Sequence, residues 1–497
     1  MTIADNLTTL NTIKTGLKQA IEKRGTSVGN APFASYPALA VSDLPVWVRP
    51  ADWLAMPTVA PTDEKFVGLH AVYGDSNFVS LQASGAYTVN WGDGVVENFA
   101  SGVQANHIYD YNNAALNGTE CTRGYKQALI TVTPQGGQHL TAFDLNKKHP
   151  TTGLQLYNAG WLDVVIGSPY FTASGLVIST VNGGVVVNKH SIEHVKITNF
   201  GAVTTTAYAF YYMFGLAQVE LASTQLVVSM QSMFGYCSSL VTVPLFDTSK
   251  VSNIGQMFVQ CPALRTVPLF DFGNVTNATS MFSTCGLLNS IPAFNLSKCV
   301  TMGTMFYNCS SLRNVPLFTL GALTDASNMF GGCLSLQTIP LLNLSTVTNA
   351  NYLFGNCAQL VTVPLFNLSA VTNASSMFYS CTRLQTVPLF NLAAATDISN
   401  MFYGCVSLST LPAFNFSAVT VANNSIFTGS APFIKLSFTG LSININLYGT
   451  KLSAAALNEV YTNLPVVSGK TITVTGNWGT VADDPSIATA KGWTVVG

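Results

Sequence analysis

Charge is what this sequence has least of. Only 9% of its 497 residues are Asp, Glu, Lys or Arg, against roughly 25% in ordinary soluble proteins, whereas its apolar content is normal. The surface must therefore be covered mainly by Thr, Ser, Asn and Gln. A net charge of −1 and the lack of any Lys/Arg cluster leave no field to gather nucleic acid or anionic lipid. A nucleic-acid partner is not expected. Long apolar runs are missing too: none reaches the ~18 residues of a membrane-spanning helix, and the N-terminus has no signal-peptide core. The expected product folds first in a cytoplasm, without membrane insertion.

Catalytic signatures are equally scarce. There is no G-x-S-x-G after a strand and no G-x-x-x-x-G-K-[ST] loop. Residues 233 to 428 hold only Asp247, Asp271, Asp325 and Asp397 as carboxylates, little material for paired-carboxylate glycoside chemistry. "HSIEH", His190 to His194, fits the H-x-x-E-H metallopeptidase pattern. That pattern needs a helix, and its flanks here are β-rich; on a strand the two histidines stand about 13 Å apart. The chain is expected to be no enzyme and to hold no metal or cofactor.

What is present is a period. The pattern apolar-x-x-apolar-x-apolar falls at Ile192, Leu216, Leu240, Leu264, Leu288, Leu312, Leu336, Leu360, Leu384 and Leu408, each 24 after the last, with an eleventh at Phe433. Such a period marks a solenoid, in which each rung buries its apolar face only against its neighbours. Within a rung, Leu240, Val243 and Leu245 are expected to form a short strand with all three pointing inward. Asn253, Asn277, Asp325, Asn349, Asn373 and Asp397 are expected N-caps. Met257, Phe258, Cys261 and Leu264 then have the spacing of one helical face. Each rung thus reads as a strand, a turn and a short helix. The fold class is an α/β solenoid of 24-residue rungs, preceded by a small all-β sandwich and an N-terminal helix.

One proline per rung, Pro244 through Pro412, removes an N–H and predicts an interrupted ladder with a bend at the strand's end. Phe246, Phe270, Phe294, Phe318, Phe366, Phe390 and Phe414, with Leu342 substituting once, predict an aromatic spine. Eight cysteines, Cys237 to Cys405, share the period. Projecting in parallel between Met-Phe and Leu, they read as free buried thiols rather than disulfides or zinc ligands.

Outside the repeats, Leu7, Leu10, Ile13, Leu17 and Ile21 mark an amphipathic helix over residues 5 to 25, suited to a partner helix of an identical chain or to packing on its own downstream domain. A Pro-rich stretch follows. Residues 66 to about 135 alternate in the β manner and carry "YTVNWGDGVVENF" and "NHIYDY". Trp91, Gly92, Asp93, Gly94, His107 and Tyr109 resemble the signature of the polycystic-kidney-disease (PKD) type sandwich, which implies a spacer or adhesive module. Asp93 reads as a turn former in preference to a calcium ligand.

The rungs resemble the BspA-like leucine-rich repeat family, whose units read M-F-x-x-C-x-x-L-x-x-[VI]-P-x-F-[DN]-x-S-x-V-T-N. The match runs from about Met213 to Phe427. The tail, with a helix opened by Ser453, a strand at Thr471 to Thr475, a helix around Ser486 to Lys491 and a last strand, resembles those closing such proteins in bacteria and phages. The organisation expected is an attachment or oligomerisation helix (1–30), a connector (31–65), a PKD-like sandwich (66–150), degenerate or capping repeats (154–232), BspA-like repeats (233–428) and a C-terminal cap (429–497).

The candidate binding face consists of the outward strand positions Thr242, Arg265, Thr266, Asn289, Arg313, Asn314, Gln337, Thr338, Thr362, Gln385 and Thr386. Solvated Thr chosen for β-propensity is the competing account. "NTIKTGLKQAIEKRGTSVGNAPFASYPALA" is similar to the I-K-x-A-I-x-x-K-G…F-x-x-Y-P segment of phage tail and structural proteins. These resemblances imply a non-enzymatic bacteriophage virion structural protein, assembled in the host cytoplasm, acting as a tail fibre or receptor-binding component. A head decoration or fibre protein and a bacterial cell-surface adhesin are the alternatives. Implied partners are other virion proteins through the N-terminal region, identical chains in an oligomer, with a trimer favoured, and a host-surface glycan or protein.

Overall fold

The computed structural model describes residues 47–74, 78–150, 160–178, 191–421, 426–427 and 433–497. The expected N-terminal helix, the phage-like segment and His190 lie outside them. The chain divides into Met1–Ala51 and Asp52–Gly497. Of the first unit only residues 47–51 are described, and they hold neither helix nor strand.

The second unit opens with β1 (Lys65–Val72), β2 (Phe78–Ser84), β3 (Tyr87–Asn90), β4 (Val96–Phe99), β5 (Gln104–Ile108), β6 (Lys126–Pro134) and β7 (Ala142–Asp144). The solenoid then begins with β8 (Trp161–Gly167), β9 (Leu176–Val177), β10 (His194–Asn199) and β11 (Gln218–Leu221). One sheet runs β11-β10-β8-β1-β6-β3-β4 and the other β5-β2-β7-β9. Each changes from antiparallel to parallel pairing where the solenoid starts: β1 pairs antiparallel with β8, and β8 parallel with β10. Likewise β2 pairs antiparallel with β7, and β7 parallel with β9. The sandwich thus supplies the first edge on which the rungs stack, and its core is continuous with theirs through Phe66, Trp161 and Ile192. The end of the Pro-rich connector packs on the sheet, Val59 against Val67 and Val165.

Sandwich stability follows from local chemistry. Asp93 accepts from the Val95 amide at 3.1 Å and pairs with His107 at 2.9 Å. His107 stacks on Trp91, with ring centroids 4.9 Å apart, and the Tyr109 hydroxyl donates to the Trp91 carbonyl. These contacts tie one turn to the next strand, a structural use of every polar atom named.

The rungs are not α/β. The expected helical face of Met257, Phe258, Cys261 and Leu264 is fully buried as required, but it is carried by overlapping turns. The amide of Met257 donates to Ile254, that of Val259 to Gln256, and that of Leu264 to Cys261, all three residues back. The alternate amides leave the rung: Ile254, Gln256, Phe258 and Gln260 donate to Asn277, Thr279, Met281 and Ser283 of the next one. A helix would spend those donors on its own carbonyls. The turns need a left-handed residue twice per rung, as at Gln256 (φ 58°) and Gln260 (φ 58°), or Asn328 (φ 53°) and Gly332 (φ 74°).

The predicted caps keep their hydrogen bond but open a turn. Side-chain oxygens of Asn253, Asn277, Asp325, Asn349, Asn373 and Asp397 accept the amide two residues on, at 2.9–3.2 Å. The resulting Asx turns align as bridges from rung to rung. Short strand pairs appear along the repeats, β12 (Asn295–Leu296) with β13 (Thr319–Leu320) and β14 (Thr410–Asn415) with β15 (Lys435–Thr439). The tail forms β16 (Ile445–Asn446), helix α1 (Ala454–Asn463), β17 (Lys470–Thr473), helix α2 (Ser486–Thr489) and β18 (Trp493–Val496). Ser453 caps α1 as its sequence position implies. Among the described residues no helix is long and apolar enough to cross a membrane.

Two aromatic columns fill the interior. The expected spine forms: Phe246 meets Phe270 at 4.7 Å, and Phe366 meets Phe390 at 6.3 Å. The Met-Phe column is the more regular of the two, Phe234, Phe258, Phe282, Phe306 and Phe330 stacking 5.4–5.6 Å apart within 8° of parallel. All ten cysteines are free and buried.

Candidate functional site: the strand face of the repeats

The proline of each rung shapes the outward face. After it the chain makes a three-residue turn, the amide of Phe270 donating to the Pro268 carbonyl at 3.0 Å, Phe366 to Pro364 at 2.9 Å and Phe390 to Pro388 at 2.9 Å. This inverse γ-turn geometry is the predicted bend, and it shifts the side-chain alternation by one. Phe270, Phe366 and Phe390 therefore enter the core, as does Phe246, and Leu245, expected to point inward, faces solvent. The same holds for Leu269, Leu317, Leu341, Leu365 and Leu389, which are between 56% and 66% exposed.

The predicted face residues lie beside this leucine column. Thr242, Arg265 and Thr266 are half-buried; Asn289, Arg313, Asn314, Gln337, Thr338, Thr362, Gln385 and Thr386 are exposed. Backbone bonds bring neighbours together: Arg265 donates to Val241, Asn289 to Arg265, Gln337 to Arg313 and Gln385 to Val361. Asn314 bridges Thr338, and Thr362 bridges Thr386. The Thr338 hydroxyl donates to the Asn314 side chain at 3.0 Å. The ladder stays discontinuous because each proline withholds a donor.

The face ends in a cleft where Thr410, Leu411 and Pro412 meet Lys435, Glu459 and Asn463 of the tail. Hydrogen bonds from Ser437 and Lys435 hold the Glu459 carboxyl below its ordinary range. Arg265 and Arg313 are the only charges among the predicted face residues. Among the described residues no group of three His, Cys, Asp or Glu is placed to hold a metal ion. Of the H-x-x-E-H pair, His194 lies on β10, bonded to Asp163 at 2.7 Å. What sequence reasoning missed is the leucine column. Its signal was the buried-type Phe two residues after each Pro, which cannot share a face with Val243 unless the intervening Leu turns out.

A family model described as "Mycoplasma protein of unknown function, DUF285" matches residues 203–318 and 324–436. Both matched stretches fall on the repeats and together make up just under half of the chain. Among solved structures, a leucine-rich repeat protein from Eubacterium ventriosum is similar at 17% identity, covering 56% of this chain and 93% of its own, with a TM-score of 0.31. No curated protein matches the chain.

Proposed function

We propose that this chain is a non-enzymatic adhesive protein that engages its partner through the strand face of the solenoid. The observation that carries the reading is the exposed leucine column, Leu245 to Leu389 with Ala293 in one rung, beside Thr, Asn and Gln columns whose only charges are Arg265 and Arg313. Threonine chosen for β-propensity accounts for the hydroxyls, but not for six outward leucines. A contiguous apolar patch of this kind marks an interaction site in a soluble protein. Flanked by hydroxyl and amide groups with little charge, it suits a polypeptide partner on a host surface.

The finer placement is on a bacteriophage virion, as a tail fibre or receptor-binding component. Its support is the phage-like N-terminal stretch and the PKD-like signature of the sandwich, which fits a spacer between an attachment end and the repeats. A head decoration protein and a bacterial cell-surface adhesin use the same face and differ only in what holds the chain.

Flow cytometry of labelled protein on a panel of bacterial strains tests the adhesive reading, comparing the parent with Leu317→Arg/Leu341→Arg/Leu365→Arg. The triple variant is expected to lose cell binding with its circular dichroism unchanged. Binding to no strain, or binding that the triple variant retains, would overturn it. Light scattering with and without residues 1–30 tests the assembly: a trimer that becomes a monomer on truncation supports the fibre placement.

A further inference from the structure

The turn face of the repeats carries a second, chemically different surface. From the rungs of Met305 to Met401 it presents Tyr307, Tyr352, Tyr379 and Tyr403, all half-buried. Tyr379 and Tyr403 stack with centroids 5.0 Å apart, and Tyr352 lies 5.8 Å from Tyr379. Tyr352 lies flat. A Cβ on Gly355 would meet three atoms of its ring at 2.5–2.6 Å, and one on Gly331 would meet both Tyr352 and Tyr307. Glycine at these two positions keeps the floor bare so that the rings can rest on it. The Asn356 amide donates to the Tyr352 hydroxyl and holds the ring in place.

In 302–312, 326–336, 350–360, 374–384 and 398–408, the segments that form this part of the face, the one charged residue is Arg383, whose guanidinium donates to the Gln359 side chain at 2.7 Å. We infer that this tyrosine row is a binding site for a neutral oligosaccharide. A pyranose ring offers an apolar C–H face to an aromatic ring and hydroxyls to neighbouring amides and phenols, which is the chemistry assembled here. Single-stranded nucleic acid also stacks on aromatic rows, but needs a run of cationic groups along its backbone, and this face has Arg383 alone, engaged with Gln359. A polyproline helix repeats every ~9 Å, too long for rings 5.0 and 5.8 Å apart. This site is separate from the strand face, so either can fail alone.

The test is a printed array of neutral and anionic glycans, with a proline decapeptide as a further probe, read with the full chain. Binding is expected on neutral glycans only. Tyr379→Ala/Tyr403→Ala is expected to weaken it about tenfold or more, the loss of two aromatic contacts. Gly355→Ala, which displaces Tyr352, is expected to weaken it as well, and Leu317→Arg/Leu341→Arg/Leu365→Arg to leave it unchanged. If the double variant does not fold, Tyr403→Gln replaces it, with an expected loss of about threefold. Binding to no neutral glycan, a preference for anionic glycans or the decapeptide, or full binding by a folded tyrosine variant would each overturn the inference.

Discussion

The thiol of Cys309 donates to the carbonyl oxygen of Phe282, 27 residues earlier, at 3.1 Å. The same contact recurs from Cys237 to Phe210, Cys261 to Phe234, Cys333 to Phe306, Cys357 to Phe330 and Cys405 to Phe378, at 3.0–3.2 Å. Each thiol thus stitches its rung to the preceding one from inside the core. A small apolar residue would fill the space but leave that contact unmade.

Alkaline instability follows from the same column. Burial pushes the Cys261, Cys309 and Cys405 thiols up to about 12, and the other five of the column well above their ordinary range. An unfolded thiol ionises near ~8.5. Between those values the unfolded chain releases protons that the native chain keeps, so stability is full below about pH 8.5 and falls as pH rises, by about 1.4 kcal/mol per pH unit for each such thiol. Urea denaturation at pH 7, 9 and 10 is expected to show a progressively lower midpoint. A midpoint independent of pH would contradict the buried column.

Gly404 separates the turn architecture from a helix. At φ 71° it sits where the turns demand a left-handed residue. Gly404→Ala is expected to destabilise by about 1–2 kcal/mol, whereas the same change inside a helix would stabilise by about 1 kcal/mol. The sign of the shift in melting temperature decides between them.

Phe330 stacks between Phe306 at 5.6 Å and Phe354 at 5.8 Å. Phe330→Ala, in the middle of the stack, is expected to cost about 3–5 kcal/mol, measured by chemical denaturation. Phe330→Leu should recover most of that loss.

Asp325 accepts from the Ser327 amide at 3.0 Å and from the Asn349 side chain at 3.1 Å. Asp325→Ala removes the one oxygen that accepts both bonds and is expected to cost about 1–2 kcal/mol. Asp325→Asn keeps an oxygen for the turn and should lose less. Equal losses in the two variants would mean that the charge, not the Asx turn, is what matters there.

Much of the interior was legible because its repeat leaves little freedom. A 24-residue period with Leu240, Phe258 and Cys261 in register assigns the same neighbours to every rung, and all three are fully buried. The rung's backbone was not legible. Met257, Phe258, Cys261 and Leu264 have a spacing that a helix and a chain of four-residue turns satisfy equally. The one local clue was Asn308, Asn356, Gly332 and Gly404 just before cysteine, residue types that tolerate the left-handed region.

By itself, then, the sequence determined the period, the identity of the core columns, the Asn and Asp side chains that accept a nearby amide, and the free thiols, since each depends on residue type at a fixed offset. Only the tertiary structure decided that the turn segments hand alternate amides to the next rung, that Leu245 faces out, and that β1 and β8 join sandwich and solenoid in one sheet. The physical reason for the first and the last is that they are settled by hydrogen-bond acceptors 23 residues or more away in the chain, which exist only once the neighbouring rung or strand is in place; Leu245 turns out because the assembled core takes both Val243 and Phe246.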